Sequence, residues 1–199
     1  MDINHRIARR VRELRDAAGL SLDALAERSG VSRSNISLIE RGQSSPTAVV
    51  LDKLSAALGV TVASLFEASP GLAASAEPSP LARVAEQPLW TDPASGYVRR
   101  NVSPPARSPI QLVDVIFPAG QRIAYETSAR DNDVHQQVWM IDGTMELTVG
   151  DAHWRLAAGD CLAMRLDAPI VFHNPGRSPA RYLVALATLP FLPSRRNYS

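Results

Sequence analysis

Apolar residues up to Phe66 recur at spacings of three and four, the period of amphipathic helices. From Trp90 onward they alternate with polar residues, in β-branched and aromatic runs cut by Gly, Pro and Asp. The first texture predicts five short helices. Ile7, Val11 and Leu14 form one stripe of the first, closed by Gly19. Ser21 caps the second, with Asp23 in its first turn, and Gly30 ends it. Ser32 caps the third, and Ser45-Pro46 is a start signal for the fourth, whose Val50, Leu51, Leu54 and Leu58 face inward. Thr61–Phe66 supplies the fifth.

The second texture predicts strands at Tyr97–Val102, Ile110–Phe117, Arg122–Glu126, Gln136–Ile141, Met145–Val149, His153–Leu156, Cys161–Arg165, Pro169–His173 and Arg181–Ala187. Asp142-Gly143 and Gly150-Asp151 read as hairpin turns. Short strands without intervening helices imply a sandwich or closed barrel. The expected organisation is a helical domain over residues 1–67, an Ala/Ser/Pro-rich linker over 68–88 and a β-barrel over 89–199. A short helical turn fits Leu81–Glu86 within the linker.

Composition narrows this picture. The chain has 199 residues, which suits one large or two small domains. Its single Cys excludes an intramolecular disulfide or a multi-Cys zinc site and fits a reducing cytoplasm. No apolar run reaches membrane length, and the polar stretch MDINHRIARR is not expected to act as a signal peptide. With 21 basic against 20 acidic side chains, total charge says nothing in favour of nucleic acid. Residues 1–70 carry nine basic groups, eight Arg and Lys53, against eight acidic ones. Affinity of this part for a polyanion therefore has to come from placement and from dimerisation.

Placement is where the helical part becomes specific. Leu22–Ile39 meets the steric demands of a helix-turn-helix: Ala26 at the crossing, Gly30 in the turn, and Leu25, Val31, Ile36 and Ile39 on the shared buried face. With the stretches LSLDALAERSGVSRSNISLIERGQSSP and LDKLSAALGVTVASLF, residues 5–67 resemble the phage-repressor, or XRE-type, helix-turn-helix family, and so imply a lambda-repressor-like domain. The resemblance implies that the third helix, Ser32 to Arg41, enters the major groove of double-stranded DNA. It would present Arg33, Ser34 and Ser37 to base edges, with Arg33 able to grip a guanine through two hydrogen bonds. Ser21, Ser32, Arg41, Ser44 and Ser45 would contact phosphates. Leu38 stands where relatives often carry a polar reader. The same resemblance pairs Arg15 with Glu40 as a structural ion pair.

The segments AGQRIAYETSARDNDVHQQVWMIDGTMELTVGD and GDCLAMRLDAPIVFHNPGRSPARYLVAL resemble the cupin family over residues 108–188 and imply a cupin β-barrel, a double-stranded β-helix. Ordinary cupins hold one metal with three His and a Glu. Here the corresponding positions carry Glu126, Ser128, Gln136 and Ile170, so no metal and no cofactor is expected. Alternation turns His135 and His173 away from the lumen and leaves His153 exposed, while His5 lies in the other domain. Cys161 reads as a small buried strand residue. The expected lumen is lined by Arg122, Glu126, Ser128, Gln136, Val138, Met140, Ile170 and Phe172.

The whole points to a cytoplasmic, non-enzymatic transcriptional regulator. It would bind an imperfect palindromic operator as a homodimer and sense a small-molecule effector in a metal-free cupin domain. Two alternatives stay open at this point: a metal-dependent cupin enzyme fused to a helix-turn-helix, and a regulator whose ligand-free barrel only dimerises.

Overall fold

A computed structural model of the protein describes residues 2–66, 78–106, 108–126 and 133–189. Residues 68–77 of the expected linker fall outside these residues. Four α-helices open the chain: α1 (Ile3–Ala17), α2 (Leu22–Ser29), α3 (Arg33–Glu40) and α4 (Ala48–Ala57). The expected fifth helix is a 3-10 segment, Val62–Phe66, because Thr61 and Ser64 side chains compete for the backbone of so short a stretch. Ser21 and Ser32 cap α2 and α3 by accepting the Ala24 and Asn35 amides, and Gly30 ends α2 at φ 66°. The start of α4 departs from expectation. Its N-cap is Thr47, which accepts from the Val50 amide, so Pro46 precedes the helix instead of opening it. Ile7, Val11, Leu25, Ile36, Ile39, Leu51 and Leu54 are buried and form the core of this half.

Ten strands follow: β1 (Leu89–Thr91), β2 (Val98–Asn101), β3 (Ile110–Phe117), β4 (Arg122–Tyr125), β5 (Asp133–Asp142), β6 (Thr144–Val149), β7 (Ala152–Ala157), β8 (Cys161–Arg165), β9 (Ile170–His173) and β10 (Ala180–Leu189). They build two antiparallel sheets, one ordered β1-β2-β3-β10-β5-β8 and the other β4-β9-β6-β7. Strand β1 lay outside the predicted set, since three residues are too few to show alternation.

Gly150-Asp151 joins β6 to β7 as a two-residue hairpin, as predicted. Asp142-Gly143 does not make a hairpin, for β5 and β6 belong to different sheets. Gly143 is the corner where the chain crosses between them. Its φ is 80°, and a Cβ there would stand 2.9 Å from the Ala180 Cα, so close approach of backbone requires glycine. The faces turned between the sheets carry Val113, Val115 and Phe117 of β3, Gln136, Val138 and Met140 of β5, and Tyr182, Val184 and Leu186 of β10. Ile170 and Phe172 of β9 meet them from the second sheet. Cys161 is exposed, a correction to the buried position expected: on β8 it is Leu162 and Met164 that turn inward. No helix among the described residues is long and apolar enough to cross a membrane.

The two halves share one hydrophobic core. Phe66 meets Trp90 edge to face with ring centroids 5.8 Å apart. Asp92 is buried and its Oδ1 accepts the Ala48 amide at 2.9 Å, placing a carboxylate from the β half at the N-terminus of α4. The Thr61 hydroxyl donates to Gln111 Oε1 at 2.8 Å, and Lys53 lies 3.2 Å from Glu126.

Candidate nucleic-acid interface and ligand cavity

Helix α3 owes its position to α1 and α2. Ile36 and Ile39 are buried against them, which turns Arg33, Ser34 and Leu38 to solvent and leaves Ser37 half-buried beside them. A two-point ion pair fixes the C-terminal end: Arg15 Nε and Nη2 reach Glu40 Oε1 and Oε2 at 2.6 and 2.9 Å. Both side chains are nearly buried, and the Glu40 carboxylate raises the Arg15 pKa above its ordinary value. This is the pair that the family resemblance implied.

The remaining candidate DNA residues cluster around that helix. Exposed Arg33 pairs with exposed Asp23 at 3.0 Å, and Arg41 Nε donates to Gln43 Oε1. Ser32 and Ser34 hydroxyls are 3.2 Å apart at the helix start. Ser21 and Ser32 each accept one amide in capping, so the Ser21 hydroxyl can still donate to a phosphate, while Ser32 shares a hydrogen bond with Ser34. Ser44 is half-buried, and Ser45 is exposed with its hydroxyl donating to Asn4.

The space between the sheets contains a cavity of about 90 Å³. Of the eight residues expected to line the lumen, Glu126, Gln136, Ile170 and Phe172 line this cavity. Val138 and Met140 are fully buried but belong to the packed interior beside it. Arg122 is a correction: it is exposed, because on β4 the inward residue is Ile123, with Tyr125 at the cavity. Counting alternation back from Glu126 put Arg122 inside, but β4 ends at Tyr125, so the two residues do not share one strand's alternation. Ser128 lies outside the described residues.

Four polar residues that the β half gives to the cavity lie outside the expected set: Tyr97, Arg99, Tyr125 and Tyr182. Tyr97 and Arg99 occupy alternate positions leading into β2, and a period-two pattern starting from Tyr97 would have found both. Burial pushes the hydroxyls of all three tyrosines above their ordinary pKa, Tyr125 and Tyr182 strongly. A second absence from the expectation is larger in consequence. Asp52 of α4, with Thr61 and Val62, forms part of the cavity wall, so the helical half closes one side of it.

His173 Nδ1 lies 2.9 Å from Glu146 Oε2, partly exposed, and His153 Nδ1 lies 3.1 Å from the Thr148 hydroxyl. His135 is half-buried on β5. Among the described residues no three His, Cys, Asp or Glu side chains converge as a metal site.

Residues 11–65 match the helix-turn-helix family HTH_3. These residues form a helix-turn-helix domain. Along 174 residues the chain is 27% identical to the HTH-type transcriptional regulator SutR of Escherichia coli K12, spanning 86% of this chain and 89% of that protein. A stretch of 62 residues is 42% identical to the HTH-type transcriptional regulator SinR of Bacillus subtilis, 31% of this chain and 56% of that one. The fold as a whole is similar to the crystal structure of an HTH_3 family transcriptional regulator from Vibrio cholerae, with a TM-score of 0.73 at 24% identity. That match spans 95% of this chain and 98% of the other, so helical half and two-sheet β half recur there together as one fold.

Proposed function

We propose that the protein is a sequence-specific, DNA-binding transcriptional regulator without enzymatic activity, whose cupin-like domain senses a small molecule. The observation that carries this reading is α3: buried on one side, capped by Ser32, and presenting Arg33, Ser34 and Ser37 outward within a matched helix-turn-helix domain. In this reading Arg33 reads a base, and Ser34 and Ser37 support it. Ser21, Ser32, Arg41, Ser44 and Ser45 hold the flanking phosphates. A two-fold homodimer binds an imperfect palindrome. The facing sheets act as a double-stranded β-helix around the effector, metal-free, in a cytoplasmic protein.

The cavity wall supports sensing over passive dimerisation. A ligand bound there touches Asp52 and Thr61 of the helical half as well as Gln136 and Phe172 of the barrel. Differential affinity for two arrangements of the halves is what a small molecule needs to change DNA binding. The test is DNA affinity of the full chain for a site selected from random duplexes, measured across a small-molecule library with wild type and Gln136→Ala. The expected result is a compound that shifts wild-type affinity and fails to shift the variant, whose unliganded affinity is unchanged. Sequence-specific binding that no compound alters would leave the barrel a dimerisation module.

A further inference from the structure

The effector class can be read from one side chain. Arg99 is 8% exposed, so its charge is nine-tenths out of water. Among the described residues neither its Nε nor its Nη2 has a hydrogen-bond partner. A buried guanidinium with unmet donors is costly, because desolvation is returned only by a paired acceptor. Its carbon Cζ lies 5.4 Å from the ring centroid of Phe66, which stabilises the cation without supplying an acceptor. The same residue lines the cavity, next to the Tyr97, Tyr125 and Tyr182 side chains.

We infer that the cavity binds a small carboxylate, held through the Arg99 guanidinium. Arginine's planar fork matches a carboxylate with two parallel hydrogen bonds, and it uses the two donors that the protein leaves unmet. Nearby tyrosine hydroxyls, neutral because burial keeps them protonated, can donate to the same anion. Asp52 and Glu126 on the wall disfavour a doubly charged phosphate, which would bring a second negative charge towards them.

Size limits the rest of the molecule. A cavity of about 150 Å³ holds benzene. One of about 90 Å³ scales to roughly four non-hydrogen atoms, the size of acetate. Ile170, Phe172, Val184 and Leu186 give that short body an apolar surface. Because Arg99 rests on Phe66, whose ring also meets Trp90, the anion is coupled to the junction between the halves.

This inference rests on the sensing reading above but can fail separately. Calorimetric titration of the full chain with acetate, propionate and alanine, against propylamine and inorganic phosphate, tests it. Carboxylates are expected to bind and the amine and phosphate to produce no saturable heat; acetate against alanine shows whether an α-ammonium group belongs to the ligand. Arg99→Met should weaken carboxylate binding at least about tenfold. It should also melt no lower than wild type without ligand, since it removes a buried charge two of whose donors are unmet. Arg99→Lys, which keeps the charge and loses the fork, is the second variant if the first does not fold, and it too should bind more weakly.

Absence of carboxylate binding, or wild-type affinity in a folded Arg99 variant, overturns the inference. If a non-carboxylate compound shifts DNA affinity instead, the sensing reading stands and this one falls. If carboxylates bind through Arg99 without altering DNA affinity, the site stands and the sensing reading falls.

Discussion

Arg33 opens the eight-residue helix α3 and Arg41 is its C-cap, and the two do different work. Arg33→Ala should cost roughly 1–3 kcal/mol of discrimination at one base position, whereas Arg41→Ala should weaken all sequences alike. Binding titrations against single-base variants of a selected site check both. The Asp23 contact to Arg33 is no obstacle, for both groups are well exposed and such pairs are worth little. Arg15 is a different kind of arginine. Its partner Glu40 is nearly buried, so Arg15→Ala leaves a carboxylate without its counter-charge and should lower stability by about 3 kcal/mol in urea unfolding. Among single residues, those on helices were the legible ones, because a 3.6-residue period fixes direction over several turns. Arg122 and Cys161 were misplaced because strand alternation has no such redundancy, and an uncertain anchor inverts a short strand.

Elements were easier to place than their junctions. The spans Ile110–Phe117 and Cys161–Arg165 are those the pattern predicts, with Ser108-Pro109 and Pro118 bounding the first and Gly159-Asp160 opening the second. The start of α4 was not, because its capping involves two parts of the chain. Thr47 caps it locally, while Asp92, 44 residues further on, supplies a carboxylate to the Ala48 amide. No local pattern could reveal that the turn before β2 would fold back onto a helix of the other half. Asp92→Ala should therefore destabilise the protein by about 1–2 kcal/mol, the cost of losing a helix cap. Thermal unfolding followed by far-ultraviolet circular dichroism measures it, and Asp92→Asn, which keeps an acceptor, should recover most of the loss. Equal stability of Asp92→Ala and wild type would show that the contact contributes nothing to joining the halves.

At the scale of the whole molecule, the separate domains that the change of texture suggested are joined by one core and a shared cavity wall. Alternation could place Gln136, Ile170 and Phe172 in that cavity; it could not bring in Asp52 or Thr61 from residues that read as another domain. The tyrosines of the cavity also give the molecule a pH limit. Their folded pKa values are raised by burial above an unfolded value of about 10. The unfolded chain thus loses these protons first, and stability is fully present below pH about 10 and declines above it. Urea midpoints should hold steady from about pH 7 to 9 and fall beyond 10, with a shallower fall in Tyr125→Phe.

Near-neutral charge over the helical half means that recognition must come from a few placed side chains, not from general attraction to the DNA backbone. The most direct test of that claim is selection of bound sequences from random duplex DNA by the full chain at physiological salt. The account expects an imperfect palindrome whose half-sites are about one helical turn, roughly 10 base pairs, apart, with one base preference lost in Arg33→Ala. Recovery of DNA without sequence preference, or of the same preference from wild type and Arg33→Ala, would contradict it.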